Sequence, residues 1–278
     1  MQGMLYLCAT PIGNLEDLSA HVLRTLSEVD LIAAEDTRNS IKILNKFEIK
    51  TPMTSYHEYN KFDKAKDLIR QIHEGKNVAL ITDAGTPAIS DPGEVLVRMC
   101  YEENIKITSL PGPCACITAL TLSGLATRRF CFEGFLPHDK KEKQTILKEI
   151  KNDTRTHIFY EAPHHLCKTL NDLYEALGDR EIAVCRELTK KYETVYRLNL
   201  NEAVSFFSAQ DLKGEFVIVV QGRDRVQLEQ EAKNEWNQLS IEEHMHYYLK
   251  QDIEKKEAMK LVAKDRGIPK RDIYQALL

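Results

Sequence analysis

NVALITDAGTPAISDPG, residues 77–93, is the stretch on which the fold turns. Val78, Ala79, Leu80 and Ile81 form an unbroken apolar run, the pattern of a strand covered on both faces in an α/β sheet rather than one with a wet face. The twelve residues from Thr82 to Gly93 then carry two Gly, two Pro and two Asp. That punctuation stops the strand and lets backbone amides approach a ligand closely. In open α/β sheets ligands sit outside the carboxyl ends of strands, where this loop lies. Ordinary connections run to roughly 2 to 6 residues. A loop about twice that length points to function rather than to Asp83 and Asp91 merely capping turns.

Working outward, the same strand-then-loop design recurs on both sides. Upstream, residues 4–8 read as a strand that runs into the loop ATPIGNLED (9–17), with Ser19 and His21 leading a helix to Glu28. Residues 31–34 are a short apolar strand that delivers Glu35, Asp36, Thr37 and Arg38 at its exit. A helix over 40–46, the segment MTSYHE (53–58) and a helix over 62–73 follow; in the last, Ala65, Leu68, Ile69 and Ile72 recur at helical spacing before Gly75. Downstream come a helix over 94–103, a strand over 106–110, the turn Pro111-Gly112-Pro113 and a helix over 114–122. This βα alternation predicts a parallel sheet.

From Thr127 basic residues cluster and the strands read as more antiparallel, which places a boundary between Pro113 and Arg128. Strands are expected over 129–135, 156–162, 181–188, 193–200 and 215–220. Helices are expected over 141–151, over 164–177 before Gly178, and from an Asn201 cap to Phe207. Beyond Gly222 the chain becomes charged and helical, with Ser240 and Glu243 spaced as a capping box and a helix, glycine turn, helix pattern over 253–278. Residues 250–278 hold eight basic and five acidic side chains, which suits solvated helix faces as well as it suits RNA. The expected organisation is α/β, with units at 1–120 and 121–225 and a small helical basic tail at 226–278.

The 278 residues, 43% hydrophobic and 29% charged, are those of a globular chain of about two domains. A net charge of −4 argues against a protein that coats nucleic acid non-specifically, so any polyanion contact is local. Seven scattered cysteines without C-x-x-C spacing fit a reducing cytoplasm rather than a disulfide framework or zinc ribbon. No apolar run approaches a membrane span, and the start lacks a basic leader region, so the expectation is a cytoplasmic protein with no membrane partner. Neither G-x-x-x-x-G-K-[ST] nor G-x-G-x-x-G occurs after a strand, which disfavours common NTP or NAD binding. His164-His165 and His244-x-His246 point to different helix faces, so no metal is expected. Cys114-x-Cys116 opens a helix, where a thiol pKa falls, but no His or Asn partner accompanies it.

TPIGNLEDLS, AAEDTR, SYHEYN, DAGTPAISDPG, PGPCA, FEGFLP, FYEAPH, RELTKKYE and KGEFVIVV, in that order from Met4 to Gly222, resemble the successive motifs of the bacterial ribosomal RNA small-subunit methyltransferase I family. These are tetrapyrrole-methylase-like, or class III, methyltransferases. The resemblance implies two α/β units with S-adenosyl-L-methionine in the cleft between them, a small C-terminal helical domain and a homodimer. It also implies 2'-O-methylation of a cytidine in the decoding region of 16S rRNA within the small (30S) subunit, and no DNA partner. Matched residue by residue, Pro11, Ile12, Asp83, Ala84, Thr86, Ile89, Ser90, Cys114, Ala115, Tyr160, Glu161, Gly214, Glu215 and Phe216 fall near the cofactor. The donor carries a sulfonium, an ammonium and a carboxylate but no phosphate, so carbonyl-rich loops and a carboxylate such as Asp83 suit it where a P-loop does not. Arg38, Glu187 and Lys190 fall on the acceptor side, as groups able to steady a developing alkoxide or accept its proton. Two segments depart from the family pattern and bear on RNA contacts: Ala162-Pro163-His164-His165 where APHR is expected, and HDKKEKQ from His138. The alternatives are a tetrapyrrole C-methyltransferase of precorrin or uroporphyrinogen type, and a non-catalytic ribosome assembly factor.

Overall fold

The computed structural model describes residues 2–277; Met1 and Leu278, the outer ends of the first and third expected units, lie outside them. The first half alternates β1 (Leu5–Cys8), α1 (Ala20–Glu28), β2 (Leu31–Ala34), α2 (Thr37–Lys46), β3 (Met53–Ser55), α3 (Lys61–His73), β4 (Val78–Ile81), α4 (Gly93–Glu102), β5 (Ile107–Leu110) and α5 (Ala115–Ser123). Its five strands form a parallel sheet in the order β3-β2-β4-β1-β5. The focal strand β4 is central and wholly buried, as its unbroken apolar run requires. Leu5, Val78 and Leu80 face Leu68, Ile72 and Leu96 of α3 and α4, whereas Cys8, Ile32 and Ala79 face Val22, Leu26 and Leu44 of α1 and α2. Alternate side chains thus feed two helical layers, and every loop at the strands' carboxyl ends opens on one edge.

The second half contains β6 (Phe130–Phe135), α6 (Lys140–Ile150), β7 (Thr156–Glu161), α7 (Leu166–Leu177), β8 (Glu181–Arg186), β9 (Thr194–Asn199), α8 (Leu200–Ser208) and β10 (Phe216–Val220). These strands form a mixed sheet ordered β6-β7-β10-β8-β9, antiparallel except for β6 and β7. Leu166, Leu170, Leu173 and Leu177 make one apolar stripe on α7 and pack with Phe159, Phe207 and Ile218. The opposite face of this sheet, Ile158, Ala183, Cys185, Val217 and Val219, is covered by Cys116, Ala119 and Leu120 of α5. The helix cut by the expected boundary at residue 120 therefore follows the first sheet in the chain but packs on the second.

Two helix starts differ from the sequence reading. α2 begins at Thr37 rather than Ser40, because the Asp36 carboxylate accepts the Arg38 backbone N–H at 2.8 Å and caps it. α8 is capped at Asn199, not Asn201; Glu202 reaches back to accept the Asn199 N–H at 2.9 Å. The tail comprises α9 (Arg225–Gln238), α10 (Ile241–Leu249), α11 (Lys255–Arg266) and α12 (Lys270–Ala276) around Met245, Ala258, Met259, Val262 and Ile273. The Ser240 and Glu243 capping box forms as its spacing predicts, with bonds of 3.0 and 2.8 Å. No helix among the described residues is long and apolar enough to cross a membrane.

Candidate active site

A cavity of about 380 Å³ lies where the carboxyl-end loops of the parallel sheet meet the second sheet. That is within the usual size range of small-ligand sites. The first sheet contributes Ile12, Ala84 to Thr86 and Ile89, the N-terminus of α5 contributes Cys114 and Ala115, and the second sheet contributes Phe135, Tyr160 to Pro163, Leu188 and Gly214 to Val217. Its walls are mostly apolar. Two carboxylate residues, Glu161 and Glu215, line it, and no Lys, Arg or His does.

The loops are tied to one another before any ligand binds. Thr10 and Gly85 exchange backbone bonds of 2.9 and 3.0 Å, and the Thr10 hydroxyl donates to the Thr82 carbonyl at 3.1 Å. The Thr86 hydroxyl donates to the Pro113 carbonyl at 2.9 Å, which joins the focal loop to the turn before α5. Asp91 accepts the Ile89 and Gly93 N–H groups at 3.0 and 2.7 Å and so scaffolds the loop from inside; burial pushes its pKa up. Ala88 and Ser90 are held at φ of 66° and 65°, a left-handed conformation costly for residues with a Cβ. From the second sheet, Glu161 accepts the Ala162 N–H at 2.8 Å and the Thr169 hydroxyl at 2.5 Å, which fixes its carboxylate in the wall. The Tyr160 hydroxyl accepts the Cys116 N–H at 3.1 Å. Cys114 and Cys116 lie 3.4 Å apart through their sulfurs; the Cys116 thiol and nearby backbone donors hold Cys114 down at about 6.

Of the sequence-matched donor residues, Ile12, Ala84, Thr86, Ile89, Cys114, Ala115, Tyr160, Glu161, Gly214, Glu215 and Phe216 line the cavity, whereas Pro11, Asp83 and Ser90 do not. Asp83 turns toward the exit of β2. Its carboxylate accepts the Asp36 N–H at 3.2 Å, and its own N–H donates to Glu35 at 3.4 Å. Burial, then the Asp36 charge, raises the Asp83 pKa; burial is also the main cause of the raised Glu35 pKa. Gly85, Phe135, Ala162, Pro163, Leu188 and Val217 line the cavity without having been singled out. All six lie inside or beside the quoted motifs, so the motif was legible and the side-chain direction was not.

Of the three acceptor-side candidates, Glu187 and Lys190 are brought together, whereas Arg38 pairs with neither. Arg38 is exposed and its guanidinium grips Asp36 at 3.1 and 3.0 Å. Glu187 accepts the Glu215 N–H at 3.0 Å and the Lys190 ammonium at 2.9 Å, and Lys190 also donates to Glu215 at 2.9 Å. Burial pushes the Glu187 carboxyl up, but Lys190 and the Glu215 N–H outweigh it and hold the pKa below its ordinary value. Two glycines allow this packing. A Cβ on Gly13 would lie 2.4 Å from the Lys190 Cγ, and one on Gly214, at φ +95°, would lie 2.6 Å from a Glu187 oxygen.

His164 and His165 precede α7 in a turn, so their rings do meet, 4.2 Å apart, and His138 packs 5.0 Å from His165. His244 is instead buried and stacked 3.9 Å from Trp236 in the tail. Away from the cavity, Cys131, Glu133 and His157 bring potential metal-ligating atoms within 4.8 Å of one another, with a 2.8 Å His157–Glu133 hydrogen bond among them.

Comparison with known proteins gives this geometry its context. The family of tetrapyrrole (corrin/porphyrin) methylases matches residues 4–204. The chain is 49% identical over 274 residues to ribosomal RNA small subunit methyltransferase I of Halalkalibacterium halodurans, covering 98% of this chain and 94% of the relative. It is 45% identical over 274 residues to the same-named protein of Bacillus subtilis, covering 99% and 94%. Among solved structures, diphthine synthase superposes with a TM-score of 0.64 at 15% identity over 79% of this chain and 90% of its own. A cobalamin biosynthetic enzyme, cobalt precorrin-4 methyltransferase, gives 0.59 at 16% identity over 78% and 94%. At those identities the structural likeness speaks for the fold alone, whereas the matched span and the close relatives decide the family. This chain belongs to the ribosomal RNA small subunit methyltransferase I family of the tetrapyrrole methylases.

Proposed function

We propose that the protein transfers a methyl group from S-adenosyl-L-methionine to the 2'-hydroxyl of a cytidine in the decoding region of 16S rRNA. In this reading it acts on the small (30S) subunit, in the cytoplasm, as a homodimer. Residues 1–120 and 121–225 supply the two walls of the cleft, and residues 226–278 form a helical appendix. Family membership supports the reaction class. The observation that carries the donor is the cavity's charge pattern, two carboxylate residues and no cationic side chain. This fits a sulfonium and ammonium ligand and opposes a nucleotide phosphate.

When bound, the donor supplies a methyl group already activated on a cationic sulfur. The chain's own work is then mainly alignment. Ala84 to Thr86, Ile89, Cys114 and Ala115 would hold the donor from the first sheet, and Tyr160, Glu161 and Gly214 to Phe216 from the second. The apolar walls around the buried Glu161 strengthen its hold on a cation. At the rim, the Lys190 ammonium is fixed between Glu187 and Glu215 and can steady negative charge developing on the acceptor oxygen. Glu187 positions that ammonium. Arg38, exposed in the first turn of α2 and paired there with Asp36, is suited to a phosphate of the acceptor strand.

The test uses purified protein, labelled donor and small subunits from cells lacking the enzyme. Label should enter 16S rRNA, and the modified position should resist alkaline cleavage because its 2'-oxygen is blocked. Unlabelled RNA would refute the acceptor, and cleavage at the labelled nucleotide would refute the 2'-O chemistry.

A further inference from the structure

Beside the cavity, on the side of the second sheet, lies a separate opening of about 400 Å³ lined by Arg186, Glu187, Tyr192, Thr194, Lys213 and Gly214. Gly214 also lines the donor cavity, so the two spaces share a wall. Tyr192 stands in this opening with 73% of its surface exposed. A single exposed aromatic is unremarkable on most surfaces. Three independent features distinguish this one. The Lys191 ammonium lies 5.6 Å from the ring centre, and Arg186 and Lys213 flank the opening. The Arg186 guanidinium is steadied by donating to the Lys213 carbonyl at 2.8 Å. The turn that presents the ring is also strained and rigid: Glu187 and Thr189 sit at φ of 54° and 63°, the Thr189 N–H donates to the Glu193 carboxylate at 2.6 Å, and Lys190 clamps two carboxylates. Non-glycine residues in that conformation are maintained at a cost of roughly 1–3 kcal/mol each and cluster at functional sites.

We propose that this opening is the subsite for an unstacked nucleobase of the acceptor RNA, with Tyr192 as its stacking platform. The inference rests on the acceptor proposed above and adds how the strand is held. A 2'-hydroxyl is displayed along the minor groove of stacked RNA, but seating it against a donor held between two sheets favours a strand in which its nucleotide, or a neighbour, has left the stack. Splayed bases are held by aromatic faces, with cations tracking the backbone. The ring supplies the face, Arg186 and Lys191 supply the charge, and the shared Gly214 wall sets the subsite beside the donor.

Three variants decide it: Tyr192→Ala, Tyr192→Leu and Tyr192→Phe. Donor affinity, read by calorimetry, should be unchanged in all three. The Ala and Leu variants should lose roughly tenfold or more in kcat/KM for small subunits, while Phe stays within about twofold. Wild-type rates in Tyr192→Ala overturn the platform, and so does Leu performing as well as Phe, since that would show packing rather than stacking. Fluorescence anisotropy with a labelled oligocytidine strand reads the platform without catalysis, and equal binding by wild type and Tyr192→Ala overturns it. A wild type that binds the strand through Tyr192 but methylates no small subunit would refute the proposed function and leave the platform standing.

Discussion

Replacing Gly214 by Ala should cost more than the same change at Gly124, and the difference reports how tightly the Glu187–Lys190 clamp is built. Both glycines have positive φ, +95° and +80°. Each substitution therefore carries a backbone term of about 1–3 kcal/mol. At Gly124 the added Cβ meets only the Arg197 Nε at 3.7 Å, an ordinary contact, so the cost should stop there. At Gly214 the methyl would meet the Glu187 carboxylate at 2.6–2.8 Å, so Glu187 must move and lose its bonds from the Glu215 N–H and Lys190. Hydrogen bonds to charged groups contribute about 1.5–3 kcal/mol; partial exposure of this pair screens that to an added cost of about 1–2 kcal/mol. Urea denaturation of the two variants reads the difference. In a Glu187→Ala background no carboxylate remains to collide, so the extra cost of Gly214→Ala should vanish. The excess should also depend on pH. The Glu187 carboxyl is held below its ordinary value of 4.5, so its contribution is present above that pH and fades as pH falls through the lower folded value. Equal destabilisation by Gly214→Ala and Gly124→Ala at pH 7 would falsify this account of the clamp.

Three further outcomes are expected. Cys114, held below its ordinary value of 9.0 by the Cys116 thiol and α5 backbone donors, should alkylate with iodoacetamide with a midpoint well below that of a free thiol, and donor should protect it; a midpoint at or above 9 by mass spectrometry contradicts the assignment. Ala84→Leu should fill the cavity and weaken donor binding by about tenfold or more, so unchanged calorimetric affinity would place the donor elsewhere. Phe159→Ala, at a fully buried position in the core of the second sheet, should cost about 3–5 kcal/mol in urea denaturation, and a loss below 1 kcal/mol would mean that the sheet closes over the cavity.

The sequence carried the parallel sheet and most of the site because both depend on local pattern. The run at Val78 to Ile81 needs a two-sided cover, and Gly85, Pro87 and Pro92 cannot extend the strand. Asp83 shows where that legibility ends. Its type suits a cationic ligand, yet its orientation is set by the Asp36 N–H, 47 residues earlier. The start of α2 is not legible in the sequence because Asp36 reads with the polar strand exit, while its carboxylate caps the helix. The pairing of His164 and His165 escapes the helical spacing rule because α7 starts at Leu166, two residues after the expected start. Long-range partners, not composition, decide each of these cases.

The placement of α5 has a consequence for how the molecule unfolds. The helix is fastened at one end to β5 of the first sheet and buried along its side against β7, β8 and β10 of the second. A chain cut after residue 123 would leave Ile158, Ala183, Val217 and Val219 bare in its second half and Cys116, Ala119 and Leu120 facing water in its first, whereas one cut at residue 113 keeps α5 on the second sheet. The second sheet therefore owns a finished core only when α5 goes with it. A ligand that holds the Pro113 turn, tied to the focal loop through Thr86, should steady α5 and so protect amides of the second sheet from hydrogen exchange.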